Sequence, residues 1–117
     1  MSQISNKVYK LLKEIFPRNI ILKEHYVNYK GTKLFYDFFI KDLGILIEVQ
    51  GEQHTRFIKH FHGDKQKLIA QKNRDNLKLE YAQEKNISFT RFNFDEEITE
   101  ELIKHKLYKA LEEGFYE

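Results

Sequence analysis

Residues 33–40, KLFYDFFI, and residues 45–50, ILIEVQ, flank the short stretch Lys41-Asp42-Leu43-Gly44. The first run is rich in aromatics, and both read as strands joined by a hairpin loop. An even-length loop centred between Asp42 and Leu43 places Ile40 opposite Ile45, Phe38 opposite Ile47 and Asp37 opposite Glu48. Directly opposed residues of an antiparallel pair have Cβ atoms about 4.5–5.5 Å apart, so two carboxylates are expected side by side on one face. Gln50 follows Glu48 by two residues and shares that face, and Glu52 and His54 continue the row if the chain stays extended. Leu34, Tyr36, Phe38, Ile40, Ile45, Ile47 and Val49 are expected on one face, and Phe35, Phe39 and Leu46 on the other with the acids. Such strands are central and covered on both sides. Two carboxylates there repel each other and lose hydration, so one pKa rises unless a cation joins them. A divalent ion is the simplest such cation, and hard oxygen donors suit Mg²⁺ or Mn²⁺. The competing reading has the acids at a sheet edge or paired with Lys33, Arg91 or another basic residue. A register slip of one residue would put them on opposite faces.

Working outward, Ile4, Val8, Leu11, Leu12 and Ile15 recur at spacings of three and four, which predicts an amphipathic helix over residues 3–16, ended by Pro17. Residues 20–28 read as a first strand and Tyr29-Lys30-Gly31-Thr32 as a turn. After ILIEVQ comes a segment rich in His and Gly, from Gly51 to Gly63, and then a long basic helix over residues 64–85 with Asp64 as N-cap. Residues 87–94, ISFTRFNF, read as a fourth strand. A last helix spans residues 96–113, capped by Asp95, with Ile98, Leu102, Ile103, Leu107, Ala110 and Leu111 turned inward. The order α-β-β-β-α-β-α is that of a mixed α/β protein: a four-stranded mixed sheet with flanking helices.

The 117 residues suit one domain over the whole chain. With 41% apolar and 15% aromatic residues they supply one core, built largely of Phe and Tyr. No cysteine is present, which excludes disulfides, thiolate metal sites and a catalytic thiol. The start of the chain lacks the apolar run of a signal peptide, and no segment reaches transmembrane length, so a soluble cytoplasmic protein without membrane partners is expected.

The net charge of +2 says little, but its distribution is uneven. Residues 56–91 hold nine Lys or Arg against four Asp or Glu, whereas residues 95–117 hold three against eight. A basic middle suits a polyanion such as nucleic acid, or is an ordinary solvated helix face. Arg56, Lys59, Lys67, Lys72, Arg74 and Lys78 are candidate phosphate contacts, with Lys67, Arg74 and Lys78 roughly on one stripe. Arg91 either points at the acids or pairs with Glu48. His54, His60 and His62 form H-x5-H-x-H, a weak zinc pattern, and His62 is read instead as a phosphate contact.

The string LFYDFFIKDLGILIEVQGEQH, followed by HFHGD and QKNRDNLKLEYAQEKNISFTRF, resembles the PD-(D/E)XK nuclease superfamily over about residues 5–94. Within it, the chain is similar to small phage and bacterial proteins related to very-short-patch-repair endonucleases and to a class of phage homing endonucleases. Gly51-Glu52-Gln53-His54 and Arg74-Asp75 are the most specific parts of the likeness. The resemblance implies a restriction-endonuclease-like fold. It makes Asp37, Glu48 and the carbonyl of Val49 ligands of Mg²⁺ or Mn²⁺. Gln50 takes the place of the usual lysine; it orients a water but carries no charge, as in some restriction enzymes of the superfamily. His54 matches a histidine near the scissile phosphate, and Asp75 an acid on the following helix. Ser5 stands where the family commonly has a glutamate, and Glu14 is the one acid of that helix.

The expected function is metal-dependent hydrolysis of DNA phosphodiester bonds, with Asp37, Glu48, Gln50 and His54 as catalytic residues. The alternative is a nuclease-fold protein that binds DNA or a protein partner without cutting. No separate DNA-reading module is present, so sequence specificity would call for a homodimer, a fused or associated partner, or loop contacts.

Overall fold

The structure is a computed structural model and describes residues 2–50 and 65–117. The first helix, α1 (Gln3–Ile15), opens on Ser2, whose hydroxyl accepts the Ser5 N–H at 3.2 Å. It closes at Phe16, which leaves helical geometry because a residue before proline is pushed out of it. Val8 and Leu12 are its buried apolar stripe.

Strands β1 (Ile21–Tyr29) and β2 (Thr32–Ile40) form a hairpin through Lys30-Gly31. Both turn residues have positive φ, 51° and 79°, the twist-matched geometry of a two-residue hairpin loop. A short 3-10 turn, Lys41–Leu43, leads through Gly44, with φ of 64°, into β3 (Ile45–Gln50). The pairs Phe38↔Ile47, Phe39↔Leu46 and Ile40↔Ile45 are those the loop length implies. From β3 the chain crosses through α2 (Lys65–Glu84) to β4 (Ser88–Asn93), which lies parallel to β3. Helix α3 (Glu100–Glu113) then leads to β5 (Phe115–Tyr116), parallel to β4.

The protein is thus mixed α/β, and its sheet runs β1-β2-β3-β4-β5. One face packs Phe38, Ile40, Ile45, Ile47, Val49 and Phe92 against α1 and α3. The other packs Leu34, Tyr36, Leu46 and Phe89 against α2 through Leu77, Leu79, Tyr81 and Ala82.

Five expectations need correction. The sheet has five strands, because the two residues after α3 add an edge too short to show a periodicity. Leu34 and Tyr36 do not share a face with Phe38 and Ile40. The β1–β2 pairing keeps one register along the hairpin but omits Glu24 and Asp37, and Glu24 has φ of 50°. A left-handed residue turns the strand, so the alternation restarts on the opposite face. Phe35, expected under cover, is 55% exposed and lies against Tyr26. The last helix starts at Glu100, capped by the Thr99 hydroxyl on Leu102 N–H at 3.1 Å, and not at residue 96 behind Asp95. Glu96 takes the Asn93 N–H and pairs with the buried Lys106, which holds residues 93–98 out of the helix. Leu111, expected inward, is exposed.

No helix among the described residues is long and apolar enough to cross a membrane. The cap assignment has a simple consequence. Thr99→Ala should cost about 1 kcal/mol in urea unfolding, and Asp95→Ala should stay within about 0.5 kcal/mol. The reverse order would restore the longer helix.

Candidate active site

The site forms where β2 and β3 part. Their backbone pairing stops at Phe38↔Ile47, one step short of Asp37 and Glu48. Beyond it, the Asp37 Oδ2 accepts the N–H of Val49 at 2.7 Å, so a side chain replaces the next rung of the ladder. The distortion at Glu24 releases Asp37 from β1 on its other side. Asp37 is thereby held against β3 through one carboxylate oxygen. Meanwhile β3 stays paired to β4 through Glu48↔Arg91, Val49↔Phe92 and Gln50↔Asn93. Glu48, Val49 and Gln50 therefore sit at the carboxyl ends of two parallel strands, the usual place for a site in such sheets.

Asp37 has its carboxyl pushed above the usual carboxylate range, chiefly by loss of hydration. The Val49 N–H opposes that rise, the Glu48 charge adds to it, and Lys78 opposes it. Burial is thus the larger cause of the rise and the neighbouring acid a smaller one.

Glu48 is 8% exposed and is compensated from two sides. Its Oε1 forms an ion pair with Lys78 Nζ, and its Oε2 accepts from Arg91 Nε at 3.3 Å. The local sequence explains both. Arg91 is the strand neighbour of Glu48 in β4, and its guanidinium lies 4.9 Å from the Phe89 ring centroid. Its Nη2 donates to the Asp75 carbonyl at 3.0 Å and docks that turn of α2 on the sheet. The Tyr36 hydroxyl donates to the Lys78 carbonyl at 2.7 Å and docks the next turn beside Asp37.

The structure thus brings together Asp37, Glu48, Val49, Lys78 and Arg91. Gln50 is half-buried at the end of β3. Asp75 is half-buried on α2, with its carboxylate accepting from Gln71 at 3.3 Å. Lys67, Lys72 and Arg74 are exposed on α2. Lys78 does not join them on an outer basic stripe; its side chain is only 15% exposed and reaches inward to Glu48. Glu14 is exposed on α1, which packs on the sheet face opposite α2, and Ser5 is buried with its hydroxyl on Ser2. His54, Arg56, Lys59, His60, His62 and the Asp64 cap lie outside the described residues. Among the described residues no three His, Cys, Asp or Glu gather as a metal-binding group.

The missed partner was Lys78, placed between Leu77 and Leu79, both of which pack in the core. That apolar flanking was its signal in the sequence.

Asp37 yields a test with a fixed sign. A carboxyl whose folded pKa is raised favours folding when protonated, and this contribution is lost as pH rises through the folded value. Asp37→Asn, which keeps an oxygen for the Val49 N–H, should therefore melt above the native protein at pH 7. The gap should close as pH falls through the raised range of Asp37. A variant that melts below the native protein at neutral pH would contradict this site geometry. Comparison of the chain with family models, with curated protein sequences and with solved structures gave no match.

Proposed function

We propose that this protein is a metal-dependent DNA endonuclease with a restriction-endonuclease-like fold. The observation that carries the reading is the placing of Asp37 within reach of the Glu48 charge just beyond the last β2–β3 pair, where Asp37 caps the Val49 N–H. An acid raised by burial beside a second acid is a place where a cation relieves cost. The donors are all hard oxygens: the two carboxylates and the Val49 carbonyl. They suit Mg²⁺ or Mn²⁺. Such an ion, when bound, polarises the phosphate and lowers the pKa of a coordinated water.

The protein's own groups have separate tasks in this reading. Asp37 and Glu48 hold the ion. Gln50 orients the attacking water through its amide. His54 is the proton-exchanging group, a role open to an imidazole near neutral pH. Lys67, Lys72 and Arg74 on the exposed side of α2, with Arg56, Lys59 and His62, contact backbone phosphates. Asp75 supports the site through its carbonyl on Arg91. DNA is the partner, and an associated or dimeric copy supplies sequence choice if there is any.

A second reading is a nuclease-fold protein that binds DNA or a protein without cutting. The pairing of Glu48 with both Lys78 and Arg91 favours it, since that carboxylate is already neutralised without an ion.

Cleavage of supercoiled, branched and single-stranded DNA with Mg²⁺ or Mn²⁺ separates the two. We expect cutting that is abolished by EDTA and falls at least about a hundredfold in Asp37→Ala. Retained DNA binding with no cutting on any substrate by the folded native protein would leave the second reading in place.

A further inference from the structure

We propose that Lys78 is the phosphate-binding cation of this site, supplying from α2 the positive charge that Gln50 does not supply from β3. The inference rests on the nuclease reading above.

Two cations lie on Glu48, and they are held differently. Arg91 is fixed by its contacts. Its Nε donates to Glu48 and its Nη2 to the Asp75 carbonyl, and its guanidinium lies 4.9 and 5.5 Å from the Phe89 and Phe115 ring centroids. A guanidinium so clamped is a structural counter-charge. Lys78 instead has its backbone pinned by the Tyr36 hydroxyl, while its ammonium reaches Glu48 at the end of a flexible four-carbon stem. It is also the more exposed of the two, at 15% against 9%. The anchor fixes where the stem starts, and the stem lets the ammonium move.

Arg91 is also committed to a second acid, the Glu117 carboxylate, 4.0 Å from its Nη1. When Glu48 serves as a metal ligand it no longer needs Lys78, whose ammonium is then free to bind a non-bridging phosphate oxygen. Lys78 takes no part in proton transfer, and Gln50 retains the water.

The test compares the native protein with Lys78→Met and with Lys78→Met/Gln50→Lys, which returns a lysine to β3. Plasmid cleavage is read at saturating Mg²⁺, and Mn²⁺ binding is read without DNA by electron paramagnetic resonance. We expect Lys78→Met to cut about a hundredfold more slowly or worse while binding Mn²⁺ at least as tightly, because the competing ammonium is gone. The double variant should recover much of the lost rate. Should Lys78→Met fail to fold, Lys78→Gln keeps a hydrogen bond to Glu48 without the charge and carries the same readings. A single variant within about threefold of native, a rate loss that follows weaker Mn²⁺ binding, or no recovery in the double variant overturns the assignment. A native protein that cuts nothing overturns the nuclease reading with it. Cutting by native and single variant at rates within about threefold of each other overturns the role of Lys78 alone.

Discussion

The buried carboxylate of Glu48 is the constraint around which the protein is assembled. It sits in the middle of the sheet, between Ile47 and Val49, which face the α1 and α3 layer. An acid there survives only with partners, and removing one partner of a buried pair costs about 3–5 kcal/mol. The partners come from two different elements. Arg91 arrives on the adjacent parallel strand, and Lys78 on the helix that connects the two strands. The crossover β3-α2-β4 is therefore closed by charge as well as by its apolar contacts. The same interaction decides where α2 lies, since Arg91 also holds the Asp75 carbonyl and Tyr36 holds that of Lys78. A helix without a clean apolar stripe thereby acquires a fixed orientation.

The second constraint is the parting of strands at Asp37. A continuous hairpin would pair the Asp37 and Glu48 backbones and leave their carboxylates on a flat surface. The left-handed backbone at Glu24 and the Asp37 cap on Val49 break that regularity. The result is a break in the β2–β3 ladder that gathers two acids and two cations beside the end of β3. Loss of hydration at Asp37 is the cost of this arrangement. Regular sheet on both sides of the break over-determines it, with unbroken register from residues 25–29 and 21–23 of β1.

Much of this was legible in the sequence where a period or a loop length decided the matter. The β2–β3 register follows from the even loop, and Arg91 as a partner of Glu48 was one of two readings left open. What was hidden has specific causes. The change of face between Tyr36 and Phe38 depends on a positive φ at Glu24, a residue type that gives no such signal. Asp95 and Thr99 are both good caps by type, and only the ion pair of Glu96 with Lys106 selects the later one. Lys106 itself, 3% exposed, lies on an inward stripe as a charge among apolar residues, satisfied by Glu96 and the Arg91 carbonyl. Lys78 was read as an outer phosphate contact because α2 mixes lysines and leucines without a sharp period. Strand β5 is two residues long and carries no pattern at all.

The central claim is that Asp37 and Glu48 together form a cation site at the parting of β2 and β3. Crystals grown or soaked with Mn²⁺, and measured for anomalous scattering, address it directly. The account requires a manganese peak about 2.1 Å from an oxygen of each carboxylate, with Lys78 moved off Glu48 and Arg91 still in place. Crystals in excess Mn²⁺ with no peak at these acids, and with Glu48 still paired to both cations, would contradict it.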